Sequence, residues 1–380
     1  MFDSKLPRST LSIFAKVSAL AKKHQAINLG QGYPDFDCDP RLQALVSKHL
    51  QAGRNQYAPM PGVLELRQAI SDKIKLTYQK SLNPDTEICV TAGATQALFT
   101  AIQAFVHTGN EVIIIEPAYD SYRPSVIIAG GVPIAYRLKS PDYQVDWNVV
   151  GEMVTSKTRM IIINTPHNPT GKTLKPTDLL ALQEIVAERN ILVLSDEVYE
   201  HLIYDGQEHQ SVLRYEKLFQ QSLAVYSFGK TLHATGWKLG YCVGPEHLMT
   251  EFKNIHQWNV FSVNSFVQYA IAEYLTDHST YQQLSDFFQQ KRDLLTELMK
   301  DSPLKALSSE GTYFQLYDYS EVSDMDDLKF YEYLTREYGV ATIPLSPFYA
   351  VPTRDKVVRF CFAKEDNTLI TATNKLSKLK

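Results

Sequence analysis

The sequence predicts an α/β fold, and three features of it carry that expectation. Short apolar, β-branched runs alternate with longer amphipathic stretches along most of the 380 residues. Each run ends in a polar, glycine-rich or proline-rich turn, where a parallel sheet collects its chemistry. No internal repeat, low-complexity tract or long linker interrupts the alternation.

Taken in order, the strand candidates are residues 87–91, 111–116, 160–164, 191–195 and 223–227, with helical stretches such as 95–107 and 177–189 between them. The C-terminal third reads differently. Helical periodicity over about 265–300 leads into shorter strand candidates at 313–317, 341–344 and 357–362, which suits a smaller α+β domain. The expected division is an N-terminal segment, 1–40, packing on that small domain; a large domain, 41–275; and the small C-terminal domain, 276–380.

Composition narrows the function classes. Hydrophobic residues make up 44% and charged residues 21%, the balance of a soluble globular chain, and the net charge of −4 offers no basic face for nucleic acid. Cys38, Cys89, Cys242 and Cys361 are scattered and form no CxxC pair, so no metal site is expected, and reduced thiols fit better than a disulfide framework. The opening residues, MFDSKLPRSTLSIFAKVSAL, lack a continuous apolar core for a signal peptide. No apolar run approaches the roughly 20 residues that cross a bilayer. A cytoplasmic protein with no membrane partner is expected.

Five of the strand ends carry small, polar or ionisable residues. Ser227-Phe228-Gly229-Lys230 leads into Thr235-Gly236-Trp237-Lys238. A lone lysine after glycine is ordinarily a solvated charge; one buried behind an apolar strand loses its proton and becomes a nucleophile toward an aldehyde. Lys238 would depress it further or hold a phosphate. Asp196 and Tyr199 read as a capped turn, or as a carboxylate that keeps a pyridine nitrogen protonated beside a phenol for the ring oxygen. Asn164-Thr-Pro-His-Asn-Pro-Thr-Gly171 is a tight loop in which Asn168 can donate its amide without adding charge. Gly93-Ala94-Thr95 opens a helix whose amides accept an anion. Arg359, inside the apolar run 357–362, is either an edge-strand arginine or a carboxylate fork facing a cleft.

In this order the residues resemble the class I/II aminotransferases of the fold type I pyridoxal-phosphate superfamily. The likeness runs over about 26–364, through Leu29-Gly-Gln-Gly-Tyr-Pro-Asp-Phe36, Asn55-Gln-Tyr57, Thr91-Ala-Gly-Ala-Thr95, Glu116-Pro-Ala-Tyr119, Asn168-Pro-Thr-Gly171, Asp196-Glu-Val-Tyr199, Ser227-Phe-Gly-Lys230 and Arg359-Phe-Cys-Phe362. NQYAPMPG (55–62) and TLHATGWKLG (231–240) look most like the bacterial methionine and the kynurenine aminotransferase subgroups. The resemblance implies a large domain with a mostly parallel sheet between helices, a smaller α+β domain, and pyridoxal 5'-phosphate held by Lys230 as a Schiff base. It also implies Lys238, Ser227, Gly93, Ala94 and Thr95 at the phosphate, Tyr119 on the ring face, Asn168 and Tyr199 at the ring oxygen, and Asp196 at the ring nitrogen. Tyr57 would reach a neighbouring subunit's cofactor, so a homodimer with shared sites follows. Gly32, Asn168 and Arg359 would receive the substrate carboxylate.

What the resemblance implies is a ping-pong exchange between an L-amino acid and a 2-oxo acid, with Lys230 as the Cα base and Asp196 and Tyr199 supporting it. Phe14, Tyr33, Tyr57, Tyr119 and Phe261 are uncharged candidates for the side-chain wall, which favours methionine first and aromatic amino acids next. A cysteine-conjugate β-lyase and a kynurenine or glutamine transaminase are the enzyme alternatives; a sensor or scaffold that keeps the domain is the other class.

Overall fold

The computed structural model describes residues 3–6 and 11–379; residues 1–2 and 7–10 of the expected N-terminal segment, and residue 380, lie outside the described residues. The first strands in chain order are β1 (Ile27–Asn28), β2 (Ile88–Thr91), β3 (Glu111–Glu116), β4 (Val132–Arg137), β5 (Thr158–Asn164), β6 (Leu192–Asp196) and β7 (Ser222–Ser227). They are followed by β8 (Gly240–Val243), β9 (Lys305–Ala306), β10 (Phe314–Asp318), β11 (Val340–Ala341), β12 (Ile343–Pro344) and β13 (Val357–Cys361).

Seven strands make one sheet in the order β2-β8-β7-β6-β5-β3-β4, parallel throughout except at β8, which runs antiparallel to both neighbours. Its inner strands read as unbroken apolar runs because both faces are covered. Alternate side chains go to opposite cores. Val112, Ile114, Met160, Ile162, Leu192, Leu194, Leu223 and Val225 pack with Leu98, Ile102 and Phe252. Ile113, Ile115, Ile161, Ile163, Val193 and Tyr226 pack on the other face with Leu66, Ile70 and Leu182.

A second sheet, antiparallel, runs β12-β13-β10-β9, and β1 pairs in parallel with β11. The N-terminal and C-terminal stretches therefore meet. Leu29 N–H donates to Ala341 O and Leu29 O accepts from Cys361 N–H, so the loop after β1 is held between β11 and β13.

The five expected strands of the central sheet are present within two residues at each end. Two of its strands were not expected from sequence. β4 is half exposed and contains Pro133, so it lacks the apolar continuity of its neighbours. β8 is four residues opening on glycine. The single helical stretch expected over 265–300 is three helices, Ser265–Tyr274, Ser279–Gln282 and Leu284–Leu298. The Asp277 carboxylate accepts from the N–H and hydroxyl of Ser279 and closes a turn between the first two. The expected strand 341–344 divides at Thr342, where the chain passes from β1's partner, β11, to β13's partner, β12. No helix among the described residues is long and apolar enough to cross a membrane.

Candidate active site

The carboxyl ends of β5, β6 and β7 face β10, β13 and the loop after β1 across a cavity of about 250 Å³. Its wall includes Phe14, Gly32, Tyr33, Gly93, Ala94, Thr95, Tyr119, Asn168, Asp196, Tyr199, Ser227, Lys230, Lys238 and Arg359. All but two of the residues singled out from sequence meet there. Tyr57 and Phe261 do not line it; they form a T-shaped pair with centroids 5.5 Å apart on the surface, 82% and 49% exposed.

Lys230 sits in the short helix Phe228–Thr231 that follows β7 directly. Its Nζ donates to Gly32 O at 3.1 Å and to the Tyr313 hydroxyl at 2.9 Å. Burial, with the Arg359 and Lys238 charges adding to it, lowers its pKa to about 8. The amine is therefore partly neutral near physiological pH.

Asp196 ends β6 and is buried. Tyr122 donates its hydroxyl to Asp196 Oδ2 at 2.5 Å, and the Val198 N–H reaches Oδ1 at 3.3 Å. Burial pushes the carboxyl up to about 6 in spite of those donors. Such a group favours any buried cation brought against it. Tyr199, one turn on, lies edge-on to Tyr313 and Phe314, and burial raises its phenol far beyond the physiological range.

The loop after β5 is fixed from within. Asn164 donates its amide to Asp196 O at 2.8 Å and accepts the Asn168 N–H at 2.7 Å. Arg359 Nη1 donates to Asn168 Oδ1 at 2.7 Å. A guanidinium only donates, so the oxygen of Asn168 must face Arg359, and its Nδ2 has no partner among the described residues. The amide is left as a donor for an acceptor in the cavity.

Arg359 is 0% exposed, although it lies in the middle of β13. Nη2 donates to Gly30 O at 3.0 Å, the guanidinium lies 3.7 Å over the Phe314 ring, and Nε has no partner among the described residues. Burial lowers its pKa to about 10, which leaves it cationic at neutral pH. An incompletely paired buried cation is costly unless an anion completes it. Gly32 stands beside it because nothing larger fits: a Cβ there would come within 2.9 Å of Phe314 Cζ.

At the other end of the cavity Gly93 turns the chain at φ 81°, favourable to glycine, into the helix Ala94–Phe105. A Cβ at Gly93 would stand 3.5 Å from Lys238 Nζ, in the space between turn and ammonium. Lys238 itself adopts left-handed backbone, φ 55°, and its Nζ has no partner among the described residues. Helix-start amides, the Thr95 hydroxyl, Ser227 and this ammonium converge on one place, an arrangement suited to a dianion.

Sequence reasoning missed Tyr313, Tyr122 and Gln31. Gln31 donates to Phe14 O and ties the helix Ile13–His24 to the cavity. Tyr313 falls at the start of an expected strand, within Gly311-Thr-Tyr-Phe314, and that glycine turn was its only signal. Among the described residues no cluster of metal-ligating side chains is found.

The family profile described as aminotransferase class I and II matches residues 24–376. The chain belongs to that family and is an aminotransferase, on an α/β fold of the fold type I class. Its relatives include the methionine aminotransferase of Escherichia coli, 47% identical over 99% of this chain and 98% of that one. The kynurenine–oxoglutarate transaminase of Dictyostelium discoideum is 34% identical over 97% and 94%. A crystal structure from E. coli, of a protein whose methionine aminotransferase function was identified with it, superposes with a TM-score of 0.98 at 46% identity, covering both chains completely. Aminotransferases of this family are pyridoxal-phosphate-dependent and act on amino acids and 2-oxo acids.

Proposed function

We propose that this chain uses pyridoxal 5'-phosphate to move the amino group of methionine, or of an aromatic or other uncharged amino acid, to a 2-oxo acid in a ping-pong cycle. The observation that carries the substrate class is the cavity's charge inventory. Its lining holds four acidic or basic side chains: Asp196, Lys230, Lys238 and Arg359. Each has a task in this reading, so no second cation is left for the distal carboxylate of aspartate. Phe14, Tyr33, Tyr119 and Phe314 supply an uncharged wall instead. The names of the E. coli and Dictyostelium relatives support the same class.

The residues present fit the cofactor. A partly neutral buried amine, a buried carboxylate that gains from an opposing cation, a free amide at Asn168 and an unpartnered ammonium over a glycine turn occupy one cavity. Lys230 would hold the aldehyde, Asp196 the ring nitrogen, Asn168 and Tyr199 the ring oxygen, Tyr119 the ring face, and Gly93, Ala94, Thr95, Ser227 and Lys238 the phosphate. When bound, the group supplies an aldehyde that bonds to amino groups and a ring that draws electrons from the substrate's Cα. The protein does the rest. Arg359, Gly32 and Asn168 fix the substrate carboxylate, and that fixes Cα before the Lys230 amine. Lys230 Nζ would take the Cα proton and, as the ammonium, hold it for delivery to the carbon that carried the cofactor's aldehyde. Phe14 and Tyr33 close the mouth against water.

With this reading come a homodimer in which Tyr57 serves the partner's site, a reducing cytoplasmic setting for the four unpaired thiols, and the division into 1–40, 41–275 and 276–380. Its test is a donor panel with a fixed 2-oxo acid, run beside Lys230→Ala. Methionine and aromatic donors should outpace aspartate, and the variant should keep its fold and lose turnover. An aspartate preference rejects the substrate class; pyruvate and ammonia released from a cysteine conjugate without an acceptor would assign the β-lyase reaction instead.

A further inference from the structure

Tyr313 stands just before β10, fully buried, with its hydroxyl against the Lys230 amine. Three groups bond to one another, with the Tyr199 phenol beside them. Tyr313 Oη donates to Gly32 O at 2.6 Å, while Lys230 Nζ lies 2.9 Å from Tyr313 Oη and 3.1 Å from Gly32 O. A carbonyl oxygen only accepts, and a phenol has one proton to give. With that proton on Gly32 O, the Tyr313 oxygen faces Lys230 as an acceptor. Burial keeps the phenol protonated throughout the working range, so this assignment does not change with pH.

We infer that Tyr313, together with Gly32 O, sets the direction in which Lys230 exchanges a proton with the substrate; this rests on Lys230 being the Cα base. A neutral amine has two N–H groups and one lone pair. Two acceptors take both N–H groups, and the lone pair is left facing the cavity. When the Cα–H bond breaks, its electron pair stays on the substrate side and a new N–H bond forms from that lone pair. The ammonium then has three N–H groups, two on the same acceptors and the new one still facing the cavity, placed for delivery to the carbon that carried the cofactor's aldehyde. One cradle thus serves both strokes without rotation of the side chain. Removing the Tyr313 oxygen frees the amine to turn about Cε–Nζ, and the lone pair loses its aim.

The test compares Tyr313→Phe with the wild-type holoenzyme, using ordinary and Cα-deuterated L-methionine, or L-phenylalanine where the wild type prefers it, and a fixed 2-oxo acid. The variant's kcat should fall about tenfold or more with KM little changed, the loss of roughly one aimed hydrogen bond in the proton-transfer step. Its isotope effect on kcat should rise, because proton transfer becomes the slow step. A readout without turnover is the pH midpoint at which the apoprotein captures pyridoxal phosphate, followed by absorbance. That midpoint should move down in Tyr313→Phe, since the Lys230 ammonium loses an acceptor. The isotope effect is a ratio within one preparation, so partial unfolding leaves it unmoved. A wild-type isotope effect and wild-type midpoint in the variant overturn the inference, whereas a wild-type protein that transaminates no donor overturns the function on which it rests.

Discussion

The Lys230 amine is the point at which burial becomes chemistry. Its pKa is drawn from 10.5 to about 8, first by desolvation. The unfolded chain keeps its proton up to the higher value, so the residue costs stability fully below pH 8, and that cost fades as pH rises toward 10.5. The same shift supplies neutral amine. Capture of pyridoxal phosphate by the apoprotein should therefore speed up roughly tenfold per pH unit below about 8 and level off above it, read by stopped-flow absorbance. A rate still climbing at pH 10 would mean a lysine as basic as one in water. At this scale the sequence was legible where a residue had an unusual neighbourhood in the chain, as Lys230 does between Gly229 and the Thr235-Gly-Trp turn. For Tyr313 it offered only the glycine turn before it, because its partner Gly32 is remote in sequence.

The turn after β6 shows how an element carries its site. Asp196 and Tyr199 face the cavity, whereas Glu197 and Glu200 point into the core beneath it. Glu197 accepts from Ser195, the Val212 N–H and Tyr226, and pairs with His209 at 2.9 Å. Glu200 accepts from Lys73 at 2.6 Å, from Tyr78 at 2.5 Å and from Tyr241 at 3.3 Å. Burial alone would raise the Glu200 carboxyl, but Lys73 and His201 outweigh it and hold it at about 2. Lys73 is 2% exposed, so Lys73→Met keeps the bulk and strands a buried carboxylate. Urea unfolding should show a loss of about 3–5 kcal/mol. An unchanged midpoint would show that the tyrosine donors satisfy Glu200 without the cation. Neither glutamate was picked out from sequence. A glutamate in a turn reads as solvated until its partners, here on strands and helices far apart in the chain, are brought under it. Arg359 was legible only as an alternative: β13 was expected, and which face of it met the cavity depended on pairing with β10.

For the molecule as a whole, the proposed dimer needs an interface, and exposed aromatic residues are the candidates for it. Trp258 is 84% exposed and Tyr57 82%, with Phe261 edge-on to Tyr57. Exposed aromatic residues mark a contact surface where they gather into one patch. The proposed dimer places it at the subunit interface. Trp258→Glu should elute as a monomer in gel filtration, and if Tyr57 serves the partner's cofactor, the monomer should lose most of its activity while keeping its helix content. An active monomer would confine the site to one chain. The fold class, which rests on the alternation of apolar runs, was legible; the break near Asp277 and the split at Thr342 were not, because both are set by local side-chain turns and by long-range pairing.

The meeting of β1 with β11 bears on the order in which competence is acquired. Every residue assigned to the cofactor within one subunit, from Gly93 to Lys238, belongs to the stretch that builds the seven-stranded sheet, whereas Phe14, Gly32, Tyr33, Phe314 and Arg359 come from the two ends of the chain. Contacts spanning that much sequence form late. A chain with its sheet built and its ends undocked would hold the residues assigned to the cofactor while lacking those assigned to the substrate, so docking of the two ends is the step that would turn a receptor for the cofactor into a catalyst.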